Sequence, residues 1–197
     1  MDMWAELKGY YEAYRQSIQT LEVEANLAHP VFGAGRLPAD MVFIGEAPGA
    51  QEVEQGCPFV GKAGKQLDEL LAEADIDRST LFVTNAVKYR PVKNNGRANR
   101  TPSTKEIAFS RDLLLKELAL IQPKMVVTLG NSPLLAVTSD NKMKVGQVHG
   151  EIVDRGEYLL FPIYHPASLI YNRSLIDAYR ADLQTLSIWT KEHLGSC

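Results

Sequence analysis

Cysteine is nearly absent. Cys57 and Cys197 are the only two in 197 residues, which speaks against a disulfide framework or a thiolate metal site and fits a reducing cytoplasm. No stretch approaches the ~20 apolar residues that a membrane span requires. The opening Met1-Asp2-Met3-Trp4-Ala5-Glu6-Leu7-Lys8 is acidic and amphipathic, not basic and then apolar, so secretion and membrane insertion are not expected. Bulk positive charge is lacking too: 21 basic against 24 acidic side chains leave a net charge of −3, which excludes a protein that coats nucleic acid through overall charge. The glycine-rich segment near residue 50 has neither Gly-Lys-Ser/Thr in Walker spacing nor Gly-x-Gly-x-x-Gly, so the two common nucleotide-binding loops have weak support. Internal repeats and low-complexity tracts are also missing.

What is present is an apolar content of 45%, enough for one globular domain over residues 1–197 whose core needs no covalent or metal support. Trp4, Leu7, Tyr11, Tyr14, Ile18 and Leu21 recur at spacings of three and four and predict an opening amphipathic helix. Met41 to Gly45, Leu81 to Asn85 and Met125 to Leu129 are short apolar runs of the kind that form buried parallel strands. Helical spacing separates them: Leu67, Leu70, Leu71, Ala74 in one segment, and Ile107, Leu114, Leu118, Ile121 in another. The second begins at Ser103 with Glu106 three residues on, a capping-box pattern, and Pro123 stops it. A short helix is expected through Pro133 to Val137. Gln147 to Asp154 and Tyr158 to Tyr164 predict a hairpin about Arg155-Gly156, and Ile176, Tyr179, Leu183 and Leu186 a closing helix. Strands alternating with helices imply an α/β fold, a three-layer α/β/α sandwich around a mostly parallel four-stranded sheet.

In such sheets ligands bind beyond the carboxyl ends of the strands. That rule selects the loop after Ile44, the residues from Asn85, and His165-Pro166. The first loop contains Glu46 and Glu52 and is rich in glycine, so backbone amides there can approach an anion or a polar ring. From Lys88 to Lys105 there is no acidic residue, while Lys88, Arg90, Lys93, Arg97 and Arg100 concentrate positive charge.

Taken together, Gly45-Glu46-Ala47-Pro48-Gly49, Pro58-Phe59-Val60-Gly61-Lys62-Ala63-Gly64, Thr84-Asn85-Ala86-Val87-Lys88-Tyr89-Arg90-Pro91 and His165-Pro166-Ala167-Ser168-Leu169 resemble the uracil-DNA glycosylase superfamily, specifically its family 4. The resemblance covers most of Met41 to Asn172. It implies a monofunctional DNA-repair glycosylase: the N-glycosidic bond between uracil and deoxyribose is hydrolysed and an abasic site is left. Phe59 would stack on flipped uracil, with Asn85 reading the pyrimidine edge and Ala47 adding a backbone contact. His165 would donate to uracil O2 as negative charge develops there. Glu46 and Glu52 are both candidates for orienting water or supporting the cationic sugar, with Glu46 favoured. Lys88, Arg90, Lys93, Arg97 and Arg100 would contact phosphates, and Leu169, Ile170 and Tyr171 would supply the wedge that fills the base stack. Uracil-containing DNA is the implied partner, and a monomer is expected.

The chain departs from that family at the cysteines that hold its iron-sulfur cluster. Tyr89 and Ser110 stand at two of the four places, and no cysteine occurs from Met1 to Asp40. Phenol and hydroxyl groups do not replace soft thiolates, so no cofactor or metal is expected. The loop Lys93 to Arg100 has no histidine for covalent capture, which implies turnover by water. Two alternatives stay open: a glycosylase for hypoxanthine or xanthine, and a non-catalytic DNA-binding relative.

Overall fold

The computed structural model describes residues 2–23 and 25–195. Cys197 and Met1 of the sequence reading lie outside the described residues. In chain order the elements are α1 (Met3–Ile18), β1 (Ala25–Asn26), β2 (Ala34–Gly35), β3 (Met41–Gly45), α2 (Ala50–Gln55), α3 (Lys62–Glu73), β4 (Phe82–Asn85), β5 (Arg90–Lys93), β6 (Ala98–Asn99), α4 (Thr104–Ile121), β7 (Met125–Leu129), α5 (Asn131–Thr138), α6 (Val145–Val148), β8 (Val153–Asp154), β9 (Leu159–Ile163), α7 (Pro166–Tyr171) and α8 (Ile176–Leu194).

Local chemistry starts the long helices. Asp2 accepts from the amides of Trp4 and Ala5 and caps α1, while Ser103 and Glu106 form the expected reciprocal box at the start of α4. Leu7, Tyr11, Tyr14 and Ile18 are buried as their spacing predicts. Trp4 is 37% exposed and Leu21 lies past the end of α1, so the apolar stripe is shorter than the sequence suggests.

The main sheet has the order β2-β4-β3-β7-β9-β8. Its inner four strands, β4, β3, β7 and β9, are parallel, and β2 and β8 pair antiparallel at the edges. The sheet is therefore six-stranded, not four-stranded. Each added strand is only two residues long, too short to carry a periodic signal. The expected hairpin is also shorter: α6 takes up Gln147 and Val148, and only Val153–Asp154 pairs with Leu159–Leu160.

Alternation along the strands sends side chains to two cores. Val42, Ile44, Phe82, Val126 and Leu160 join residues of α1, α4 and α5. Met41, Phe43, Val83, Val127, Phe161 and Ile163 join residues of α3, α7 and α8 on the other face. A smaller sheet, β1-β5-β6, folds the basic segment into a hairpin, with Asn94, Asn95 and Gly96 all at positive φ in its turn.

Leu169 belongs to the second core, 3% exposed, on the side of α7 that packs against α3. Its expected place in a DNA wedge is thus corrected, because helix direction points it inward. Leu169→Ala should lower stability by about 2–5 kcal/mol in denaturant unfolding, as large-to-small core changes do. A loss below about 1 kcal/mol would return the residue to the surface.

Candidate active site

The parallel ladder aligns Gly45 with Asn85, and β9 ends two residues before His165. Three chain segments therefore leave the sheet at its carboxyl edge and wall a cleft of about 470 Å³, which Glu46, Glu52, Phe59, Asn85 and His165 line together. Ala47 is also in the wall. A side chain at Gly45 would collide with the Phe59 ring and Asn85 Oδ1, so the missing Cβ lets those two groups close over the strand end. Phe59 itself has φ 60°, an uncommon conformation for a bulky residue, and is 8% exposed. At Gly64 in α3 a Cβ would strike the Phe59 carbonyl, so helix and strained turn fit only with glycine there.

The two carboxylates do different things. Glu52 accepts from the amide of Gly61 at 2.7 Å and from that of Gly49 at 3.1 Å, tying both ends of the first loop together around α2. Glu46 makes no such tie with its side chain. Its Oε2 accepts from Ser132 Oγ at 2.6 Å, and burial pushes the carboxyl above its ordinary range, with the serine hydrogen bond opposing that shift. Ser132 was not singled out in the sequence, although Leu129-Gly130 marks a strand end there and the same rule that selected Glu46 extends to the residues that follow.

His165 caps α7. Its Nδ1 accepts from the amide of Ala167 at 3.1 Å, which leaves Nε2 to carry the proton. The ring is partly exposed to the cleft but otherwise enclosed by protein, and that burial pushes its pKa down to about 4 against the opposing charge of Glu52. At neutral pH the imidazole is therefore uncharged and a donor.

The basic segment divides sharply. Lys88 is fully buried, its ammonium 2.6 Å from Glu117 Oε2, so the expected phosphate contact is corrected: the group has no access to solvent. Arg100 lines the cleft but its guanidinium grips Glu106 at 2.7 and 2.9 Å. Burial alone would raise the Glu106 carboxyl, yet Arg100 and Ser103 outweigh it and hold the group below its ordinary value. Arg90 donates to Asn99 Oδ1 at 2.7 Å. Lys93 and Arg97 are exposed on the β5–β6 hairpin. Lys62, at the start of α3, is an exposed cation on the cleft wall that the sequence reading did not select. Ile170 and Tyr171 also border the cleft and are 50% and 89% exposed.

The two positions that stand in for cluster cysteines are closed by other chemistry. Tyr89 is fully buried and donates to Glu106 Oε1 at 3.3 Å, and Ser110 Oγ lies 2.6 Å from the Tyr14 hydroxyl. Tyr14 packs edge-on to Phe32 and obliquely against Phe109. These phenol and hydroxyl pairs do not fit an iron-sulfur cluster, which needs thiolate donors. Among the described residues, no group of three or more His, Cys, Asp or Glu stands placed for a metal ion. A larger hollow of about 880 Å³ at the opposite end of the sheet is bordered by charges that neutralise one another, such as Arg78 with Asp68 and Lys191 with Asp75, and holds none of the strand-end residues.

Residues 32–186 match the family model described as the uracil DNA glycosylase superfamily. A type-4 uracil-DNA glycosylase of Thermotoga maritima is 38% identical over 150 residues, which cover 76% of each chain. Its counterpart from Saccharolobus solfataricus is 36% identical over 172 residues, 83% of this chain and 76% of that one. A type-5 uracil-DNA glycosylase of Pyrobaculum aerophilum is 27% identical over 179 residues, 81% and 76% of the two chains. With most of its length so matched, and the strand-end residues gathered in one cleft, this chain belongs to the uracil-DNA glycosylase superfamily and groups with its type-4 members.

Proposed function

We propose that the protein excises uracil from DNA by hydrolysing the bond between the base and deoxyribose, after the nucleotide has turned out of the helix into the cleft. The observation that carries this reading is one cleft holding an aromatic ring, a buried amide, a neutral imidazole and a carboxylate of raised pKa. Phe59 offers the stacking face. The Asn85 amide has an acceptor for uracil N3–H and a donor for O4, the reverse of what cytosine presents. A mismatched base leaves buried groups unpaired, at roughly 1–3 kcal/mol each.

In the reaction the C1′–N1 bond breaks and its electron pair leaves with uracil, so negative charge spreads to O2. The His165 Nε2–H donates a hydrogen bond there, and the neutral imidazole keeps its proton throughout, so it needs no reprotonation between turnovers. Water adds to C1′ and its proton passes to Glu46. Glu52 is assigned to holding the loop, since its oxygens already accept two amides. Lys93, Arg97 and Lys62 are exposed for phosphate contact, and Ile170 with Tyr171 for the wedge. The closed packing around Tyr89 and Ser110 supports a cofactor-free protein that turns over with water.

Purified protein should release uracil from oligonucleotides and leave an alkali-labile abasic site. No release from any uracil substrate, or faster release of hypoxanthine or xanthine, overturns the assignment. His165→Ala should slow single-turnover release by roughly 10²- to 10³-fold while DNA binding changes little. The preparation should be colourless, and elemental analysis should find no stoichiometric iron. Finally, Glu46 must be ionised to accept a proton, so the rate should rise as pH passes upward through its raised pKa. Ser132→Ala removes the bond that favours the carboxylate, and the acid limb should therefore move to higher pH with little change on the plateau. The other ionisable groups of the cleft are Glu52, Lys62, Arg100, His165 and Tyr171, and His165 becomes charged only near pH 4. An unmoved limb would separate Ser132 from the base.

A further inference from the structure

The Lys88 ammonium has three donors, and each is used inside the protein. It donates to Thr84 Oγ1 at 2.6 Å, to the Asn85 carbonyl at 2.7 Å and to Glu117 Oε2 at 2.6 Å. Glu117, on α4, also accepts from the Tyr11 hydroxyl of α1 at 2.9 Å and from Thr84 Oγ1. Neither charged side chain has any exposed surface. Such a pair, fully withdrawn from water, gives little stability beyond what apolar residues of the same volume would give. Its location is more informative than its strength: the ammonium binds the main chain of the residue whose amide faces the cleft. Beyond Asn85, Ala86 and Val87 donate to the carbonyls of Gly45 and Glu46, so the same turn is joined to the strand end that carries Glu46.

We propose that Lys88, with Glu117 as counter-charge, is a positioning residue for base recognition: it fixes the main chain of Asn85 and thereby aims the Asn85 amide at the extruded base. This rests on the assignment of the cleft to uracil excision. Because a displacement of about 1 Å at a recognition group can cost on the order of 10²-fold in rate, a rigid internal anchor at this point has a direct catalytic consequence.

The test is a double-mutant cycle in the full chain. Lys88→Met together with Glu117→Gln removes both charges at once, so neither is left buried and unpaired, retains an acceptor for Tyr11 and deletes the donor to Asn85. Single-turnover release from an oligonucleotide with one deoxyuridine should fall about 10- to 100-fold, with affinity for an abasic-site oligonucleotide unchanged. In an Asn85→Ala background the same two changes should cost no more than about 2- to 3-fold, because the group they aim is gone. A merely structural pair would give equal losses in both backgrounds, and that result, or an undiminished rate in the natural background, overturns the proposal. If circular dichroism shows that the charge-free variant does not fold, Thr84→Val replaces it in the cycle, since it removes one ammonium partner and keeps both charges. A loss confined to the background with Asn85 supports the proposal, and equal losses or none overturn it. Failure of the natural protein to release uracil overturns this inference and the assignment of the cleft together, whereas release with an additive cycle overturns this inference alone.

Discussion

The register of β3 against β4 is the constraint on which the cleft depends. Pairing Gly45 with Asn85 places a residue without a side chain beside one whose amide needs space, and the Phe59 ring closes over both. Slipping the ladder by one residue would reverse the faces of Val42, Phe43 and Ile44 and mix the two cores. Register is thus set by the apolar alternation across the whole sheet, while its consequence is felt at the last pair. Stability and site geometry are determined by the same hydrogen-bonded ladder.

Enclosure then decides the charge states around that pair. His165 and Glu46 both lose solvation, but the effect on each is opposite in sense: the imidazole is held neutral and the carboxyl is pushed toward its protonated form. Ser132 partly restores the carboxylate. Glu52 sits in the same wall and is satisfied by backbone amides, so two chemically identical side chains six residues apart take different parts. Burial and hydrogen-bond partners distinguish them: Glu52 is held by Gly49 and Gly61 of the adjoining glycine-rich motifs, whereas the partner of Glu46, Ser132, lies 86 residues away in the chain.

Much of the fold was legible because it rests on patterns several residues long. The four inner strands, the α4 capping box and the gathering of Glu46, Asn85 and His165 at strand ends all follow from runs, spacings and one topological rule. The two edge strands were not legible, since two residues carry no period. Leu169, Ile170 and Tyr171 form one apolar run, and only the direction of α7 separates the buried first from the exposed others. Lys88 was misread because it begins a run of cations that resembles a solvated surface. Its partner did leave a trace: Glu117 lies three residues after Leu114 and four before Ile121, on the apolar face of α4, where an unpaired carboxylate would be costly.

That buried charge also bears on how an acidic protein approaches a polyanion. Subtracting Lys88 and the Arg100–Glu106 pair from the basic segment leaves Arg90, which donates to the neutral Asn99 side chain, and the exposed Lys93 and Arg97 on the hairpin, with Lys62 on the wall of the cleft. A net charge of −3 opposes loose, nonspecific coating, and a few exposed cations within about one Debye length of ~8–10 Å still attract a phosphate backbone locally. The segment therefore divides its charge by depth. Lys93 and Arg97 stay at the surface, Arg100 secures the turn into α4 through Glu106, and the most deeply placed cation holds the main chain of Asn85. Positive charge that appears uniform along the sequence acts at three different levels because β5 and β6 carry one part of it outward while β4 and α4 enclose the other.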